Sequence, residues 1–313
     1  MNIEYKISDI NESELLNVLK LWNDEVGRIY PIPQKAFYQN VINYQNKDII
    51  IAYDEDKLVG FMILKKFDNN ELVDYTNSLF ISLFFVSKKY RKNGIGTKML
   101  EFAEEKRDGR KLVIGKDIYN FFPGVPTDFD NLTDVWLEKR GFEGKRYTHD
   151  LICYKEVNYP LYNDDVEYVY CDETRKDDLL NFVIKNNWKR WAFEVDDYFK
   201  NKTGNDKDAY IIGLKNNEIV SFIRINTYEM DTVAYNVLFQ DRFNKLGGIG
   251  PLGVDSNQRK KGLGADMMMV AIMKLKERGI CDMMIDWTGL MDIYNKYGFE
   301  VWKSYKYMEK KYN

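Results

Sequence analysis

Along this chain apolar residues recur with two periods, and the periods alternate in the same order twice. "YKISDINESELLNVLKLW" reads as a short strand and then a helix, because Leu15, Leu16, Leu19 and Trp22 return on one helical face behind a polar start. "VEYVYCDETRKDDLLNFVI" repeats that order with Leu179, Leu180, Val183 and Ile184, and Thr174 followed by Asp177 resembles a capping box. Next, "IIIAYDEDKLVGFMIL" and "AYIIGLKNNEIVSFIRI" each place two apolar runs around a charged tip, the pattern of a strand hairpin. A third strand pair leads to Val86 in one series and Val254 in the other, each five residues before an arginine, Arg91 or Arg259. "TKMLEFAEEKR" and "ADMMMVAIMKLKERG" then predict amphipathic helices, with Met99, Leu100 and Ala103 on one face and Met267, Val270, Ala271 and Leu275 on the other, the second stopping at Gly279. The order repeats with an offset of 168 positions between Arg91 and Arg259, which is a duplicated domain. Pro160 and the polar cluster Asn163, Asp164 and Asp165 place the boundary near residue 158, giving domains 1–157 and 158–313.

Composition narrows what two such domains can be. A chain of 313 residues exceeds what one core usually serves, and with 45% hydrophobic and 30% charged residues it is globular, neither disordered nor fibrous. Net charge is −3, so a nucleic-acid footprint would have to be local, and the basic residues form no recognisable binding module. A single histidine, His149, and three scattered cysteines without CxxC spacing argue against a metal site and a disulfide framework. His149 is expected in a terminal strand of the first half with a structural role. No run reaches the roughly 20 apolar residues that span a bilayer, and the start has no apolar signal region, so a cytoplasmic protein without membrane attachment is expected.

The chemistry concentrates in the two loops, "SKKYRKNGIG" and "SNQRKKGLG". Each lies where a strand gives way to a helix N-terminus, which offers unpaired N–H groups and the positive end of the helix dipole. Gly94, Gly96, Gly262 and Gly264 let the chain turn tightly and let an anion approach the backbone. Lys88, Lys89, Arg91 and Lys92, and Arg259, Lys260 and Lys261, add local positive charge. A pyrophosphate is the expected guest. Neither loop is GxxxxGK[ST], and the GxGxxG at Gly248, Gly250 and Gly253 contains Pro251 with no helix directly after it, so neither a P-loop nor a dinucleotide fold is supported.

The pattern present is R-x-x-G-x-G, as Arg91-Lys92-Asn93-Gly94-Ile95-Gly96 and Arg259-Lys260-Lys261-Gly262-Leu263-Gly264. It resembles motif A of the GNAT superfamily of acyl-CoA N-acyltransferases. With a Gly-Phe segment near each domain end, Gly141-Phe142 and Gly298-Phe299, the resemblance covers nearly the whole chain. It implies an α/β (α+β) fold, duplicated, each half a mixed, twisted, mostly antiparallel sheet flanked by helices, with the fourth strand splayed from the fifth to hold acetyl-CoA. On that fourth strand Phe85 and Val86, and Leu252, Gly253 and Val254, would meet the pantetheine arm, and the N–H near Val254 would steady the thioester carbonyl. The loops and the helix starts through Thr97 and Ala265 would meet the phosphates.

The implied reaction is transfer of the acetyl group to a primary amine of a small molecule or peptide, with a tyrosine protonating the departing thiolate. "GLMDIYNKYGFE" resembles the family pattern with Tyr294 four residues before Gly298, which makes Tyr294 the candidate acid and leaves Tyr297 to the core. The first half has Leu137 at that position and Trp136 beside it, neither able to donate to the thiolate, so its role is expected to be binding, structure or regulation. Asp286 ends the apolar "MMID" and is either the base, a substrate anchor or a turn cap; a water chain is the second choice for the base. Met267, Met268 and Met269 are expected to fill core space. The first half carries an insertion: Gly96 to Gly141 spans 45 positions against 34 from Gly264 to Gly298, and the surplus lies in residues 119–134. The rival reading is an acyl-CoA-binding sensor or scaffold without turnover.

Overall fold

The computed structural model describes residues 2–130, 132–155, 157–204 and 206–312; Asn131, within the insertion, lies outside them. Its elements begin with β1 (Ile3–Lys6), α1 (Glu12–Glu25), α2 (Gln34–Phe37), β2 (Lys47–Asp54), β3 (Lys57–Lys66), α3 (Val73–Thr76) and β4 (Ser78–Val86). There follow α4 (Ile95–Lys106), β5 (Lys111–Ile114), β6 (Val125–Pro126), α5 (Thr133–Glu138) and β7 (Tyr147–Cys153). The second series is β8 (Glu167–Tyr170), α6 (Lys176–Lys185), α7 (Lys189–Asn201), β9 (Tyr210–Lys215), β10 (Glu218–Thr227), β11 (Leu246–Val254) and α8 (Leu263–Glu277). It closes with β12 (Asp282–Thr288), α9 (Met291–Tyr294), β13 (Phe299–Lys306) and β14 (Glu309–Lys310).

Two of the predicted helix starts differ in chemistry. Asn11 caps α1 and exchanges bonds with Glu14, a complete capping box. The Thr174–Asp177 box expected at the second helix is not formed. Asp172 instead accepts from the Thr174 N–H at 2.9 Å and its hydroxyl at 2.6 Å, capping a short 3-10 turn that leads into α6.

The chain divides into two compact units, one of residues 1–148 with 303–313 and one of 149–302. This differs from a single cut at 157/158, because each half lends its last strand away. In the first unit the sheet runs β1-β2-β3-β4-β5-β14, and β14 at the chain's end pairs antiparallel with β5, Glu309 opposite Val113 and Lys310 opposite Leu112. In the second unit β8 to β12 form the sheet, and β7 flanks β12 antiparallel, Leu151 opposite Ile285 and His149 opposite Thr288. His149 therefore serves the sheet of the second unit.

In both sheets the fourth strand parts from the fifth. β4 and β5 run parallel only from Ser78–Lys111 to Ile81–Ile114, so residues 82–86 continue without a partner on that side. β11 and β12 do the same, parallel from Leu246–Asp282 to Ile249–Ile285, leaving 250–254 open. The cause is a bulge at the same place in each, opposite the register shift between Ile63 and Leu64 in β3 and between Ile223 and Ile225 in β10. Behind the sheets α4 and α8 bury their apolar faces, and Met267, Met268 and Met269, at most 2% exposed, fill the second core.

The insertion of the first half is tied to its sheet by a buried ion pair. Lys65 reaches Asp117 at 2.9 Å with side chains 0% and 1% exposed; it also donates to the Tyr119 carbonyl, while Ser82 donates to Asp117 at 2.8 Å. Burial pushes the Lys65 ammonium below its ordinary range, and Asp117 opposes that fall. Removing one partner strands the other charge, so Lys65→Met is expected to lower stability by about 3–5 kcal/mol in urea denaturation. Combining it with Asp117→Leu should recover most of the loss. A single variant as stable as the parent would show that the pair contributes nothing.

Candidate functional site

The two glycine loops have nearly identical backbones. Gly94 and Gly262 cap their helices in the left-handed region, at φ 80° and 87°, and Lys92 and Lys260 precede them at φ 67° and 62°. An L side chain is strained at the cap positions, which is the reason for glycine there. The arginines that open both motifs fold back: Arg91 Nε donates to the Val86 carbonyl at 2.9 Å and Arg259 Nε to that of Val254 at 3.3 Å. They brace the turn from strand to helix. Lys260, Lys261, Lys92 and Asn93 are exposed around the loops, while Ile95 and Leu263 are buried beneath them.

Around the first loop lies a cavity of about 580 Å³. It is lined by the open edge of β4 from Ser82 to Val86, the loop around Arg91 to Thr97, and Trp136 and Arg140 of the α5 region. Trp22, Phe122 and Phe129 line it as well. Arg91 pairs with Asp130 of the insertion at 3.2 Å, and Arg140 donates to Thr97 at 2.8 Å with its guanidinium 3.8 Å from the Trp136 ring. The insertion thus packs Phe129 flat against Trp22, with ring centroids 6.2 Å apart. This half has a cavity beside its glycine loop, but no acid or base at the matching positions. The position that matches Asp286 by strand register is Gly115, where a Cβ would lie 2.2 Å from the Phe122 carbonyl oxygen, so the insertion leaves no room for a carboxylate. Leu137 is buried in the core at 2% exposure.

The second half differs on the face of its sheet that carries α7. The glycines of β11, which have no dinucleotide role, each answer a neighbour. A Cβ at Gly248 would sit 1.9 Å from Asn236 Oδ1, and one at Gly253 would sit 2.5 Å from the Trp188 ring. Gly250, at φ 126°, faces Asp286 Oδ1, 3.7 Å from where its Cβ would be. A hydrogen-bonded row crosses this face: Arg224 Nε donates to Asn226 at 3.0 Å, Asn226 to Asn236 at 3.0 Å, and Asn236 to Asp286 at 3.1 Å.

Asp286 is part-buried at the point where β11 leaves β12. Loss of hydration, then the nearby charges of Asp150 and Glu194, push its carboxyl up to about 7, against the pull of the Asn236 bond. Tyr294, on α9, packs against the second core, and burial followed by the Asp286 charge raises its phenol, keeping it protonated at neutral pH. Tyr297, 8% exposed, is a core residue. Arg190 and Glu194 of α7 pair at 2.7 Å, with the Arg190 guanidinium 4.3 Å from the Trp287 ring. Asp150, Glu194, Asn236 and Trp287 were not singled out from sequence; only Asp150, a carboxylate between the apolar positions of "THDLIC", carried a signal there.

Beside the second loop runs a strap of residues before β8 in the second unit. Asp266, 0% exposed in the first turns of α8, accepts from the N–H of Tyr162 at 2.8 Å, the N–H and Nδ2 of Asn163 at 3.1 and 2.7 Å, and the Tyr168 hydroxyl at 2.8 Å. The strap lies along Gly262, where a Cβ would meet Tyr162 Cβ at 3.0 Å. At Gly264 a Cβ would meet only Val254 Cγ2 at 3.9 Å, so that face of the helix start is open. Among the described residues no group of three His, Cys, Asp or Glu side chains could hold a metal ion, and no helix is long and apolar enough to cross a membrane.

Solved structures share this architecture. The glucosamine N-acetyltransferase region of a fungal multi-domain β-N-acetylglucosaminidase superposes with a TM-score of 0.85 at 21% identity, covering 98% of this chain and 38% of that one, so this chain spans well under half of that protein. A tandem GNAT protein from the clavulanic acid pathway aligns with a TM-score of 0.70 at 12% identity over 98% of both chains. A GCN5-related N-acetyltransferase from Sphaerobacter thermophilus gives 0.70 at 11% identity, covering 98% of this chain and 95% of its own. At these identities the likeness is one of fold. No curated protein matches the sequence. The family model of the GNAT acetyltransferases matches residues 15–114 and again 160–299, most of the chain and both halves. With the duplicated loops and splayed strands it matches, this chain belongs to the GNAT family of acetyltransferases.

Proposed function

We propose that the chain is an acetyl-CoA-dependent N-acetyltransferase whose second half carries the chemistry. The observation that carries this reading is Asp286, a carboxyl raised to about 7 at the mouth of the splay, facing Gly250, with Tyr294 near enough to feel its charge. The residues fit acetyl-CoA: an open strand edge at 250–254, an accessible helix start at Gly264, and Arg259, Lys260 and Lys261 beside it. The N–H groups of Gly262, Leu263 and Gly264 would bind the pyrophosphate and the edge of Leu252 to Val254 the pantetheine amides. When bound, acetyl-CoA supplies an acetyl carbon activated as a thioester. Asp286 takes a proton of the acceptor ammonium, the freed nitrogen forms the new C–N bond as the C–S bond breaks, Tyr294 gives its proton to the departing sulfur, and the second nitrogen proton, lost as the amide forms, restores the tyrosine.

Asp286 and Glu194 bring two carboxyl groups near the Trp287 ring, a grouping that would suit a polar molecule carrying a cationic amine. An aminosugar is the acceptor class we favour, and the fungal relative described as a glucosamine N-acetyltransferase region makes glucosamine the first to try. The first half is read as a site that binds a CoA-type ligand without turnover, because it has the cavity but Gly115 and Leu137 where the second half has Asp286 and Tyr294.

The test is release of CoA thiol from acetyl-CoA in the presence of glucosamine and a panel of other primary amines. Acceptor-dependent release is expected, and Tyr294→Phe should lower turnover by at least about tenfold while leaving acetyl-CoA binding nearly unchanged. Binding of acetyl-CoA without transfer to any amine would favour the sensor reading.

A further inference from the structure

Asp150 stands on β7, the strand that the first half of the sequence lends to the second unit. Its side chain is 0% exposed. One carboxylate oxygen accepts the Trp287 N–H at 3.1 Å and the other accepts the Tyr235 hydroxyl at 2.9 Å. Trp287 holds φ 46°, a left-handed conformation that a bulky side chain rarely adopts. The residue before it is Asp286. A buried charge on a borrowed strand therefore fixes the backbone turn immediately after the proposed base, and it does so with bonds that packing alone does not require.

We propose that Asp150 is a positioning residue of the second-half site, a buried carboxylate on β7 that pins the left-handed Trp287 turn directly after Asp286. The inference rests on the reading of Asp286 as the base. The groups that face Asp286 come from several elements: Asp150 from β7, Glu194 from α7, itself paired with Arg190, Asn236 from the segment before β11, and Tyr294 from α9. Asn236 favours the carboxylate, and Asp150 and Glu194 oppose it. Arg224, across the sheet, acts on Glu194 and ends the row of amides that leads to Asn236. Of the two like charges Asp150 has the larger effect on Asp286, and it alone also holds the neighbouring backbone.

Asp150→Asn separates charge from shape, since an amide can still accept from Trp287 N–H and bond Tyr235. The full-length protein labelled with carboxyl-13C aspartate can be titrated by NMR without any substrate, the Asp286 resonance being assigned by its loss in Asp286→Asn. The parent should titrate at about 7. In Asp150→Asn the midpoint should fall by roughly one unit, and in Glu194→Gln by less. Should the amide variant fail to fold, Asp150→Ser, which keeps an acceptor and removes the charge, is read the same way. An unchanged midpoint in a folded variant, even with a lower Tm, would overturn the inference and leave Asp286 as base. If no aspartate lost in Asp286→Asn titrates near neutrality, the base reading fails and this inference fails with it.

Discussion

Asp286→Asn should silence the enzyme and at the same time make it harder to unfold. The loss follows from removing the proton acceptor: general base catalysis typically contributes about 10²–10⁴-fold, so kcat with any active amine should drop by that order. The parent's activity should rise with pH through about 7, where the Asp286 carboxyl ionises, and that limb should vanish in the variant. The gain follows from linkage. A carboxyl whose folded value is raised contributes stability below its unfolded value of about 3.9, and that contribution is lost as pH rises through the folded value of about 7. At pH 8 the charged Asp286 is therefore a burden on the fold, and a neutral amide should raise stability by an amount on the order of a few kcal/mol. Thermal unfolding at pH 8 and at pH 4 measures it, with the difference confined to the higher pH. Retained activity in the variant, or equal Tm shifts at both pH values, would remove Asp286 from the site.

Deleting residues 303–313 should unfold the first unit. The segment brings Tyr305 and Met308, both 0% exposed, into the first unit, each contributing roughly 1.5–3 kcal/mol by burial. β14 closes the edge of β5, the Met308 carbonyl accepts from Ile114 N–H at 3.0 Å, and Glu143 and Glu309 exchange backbone bonds at 2.8 and 2.9 Å. Glycine makes the seat possible: a Cβ at Gly144 would lie 1.6 Å from the Tyr307 carbonyl oxygen and one at Gly124 would lie 2.6 Å from that of Lys306. Together these are comparable with the whole stability of a domain, about 5–15 kcal/mol. In urea the truncated chain should lose the unfolding transition of the first unit.

The seat should also be acid-sensitive. Burial alone would raise Glu309, but bonds from Tyr307, Lys111 and Lys311 hold it at about 2. A carboxyl held below its unfolded value of about 4.3 contributes stability above that value and loses it as pH falls toward about 2. The first-unit transition should weaken through that window, and Glu309→Gln should flatten the slope. Two unchanged transitions after truncation would show that the segment is dispensable.

Period and spacing made most of the architecture legible. The helical faces of α1, α4 and α8 and the two hairpins are amphipathic patterns that local sequence determines, and the loop glycines announce themselves because only they tolerate the left-handed caps at Gly94 and Gly262. The strand exchange was not legible, because "YTHDLIC" and "YMEKKY" read as strands equally well beside either sheet; which edge each joins is decided by pairing with distant β12 and β5. Nor was the insertion's role, which depends on Lys65 meeting Asp117 across 52 positions and on Phe122 filling the space over Gly115. Of the candidate site, Asp286 stood out as a carboxylate ending an apolar run, and Tyr294 only through its place four residues before Gly298 in the family pattern. Asn236 and Glu194 did not, since an amide in a loop or a carboxylate on a helix looks ordinary until the fold gathers it; Asp150 showed only as a carboxylate between apolar positions.

The placement of the final strand also sets an order of events during synthesis. Domains generally fold as they emerge, N-terminal first. Here the second unit has all its residues once Trp302 has left the ribosome, whereas the sheet begun at Ile3 lacks its closing strand until Lys310 has emerged. The half translated first is finished last, and through most of translation it carries an unpaired β5 edge, the kind of exposed strand that binds other chains. Newly made chains stalled before residue 307 should be the ones that chaperones hold and that aggregate when they do not.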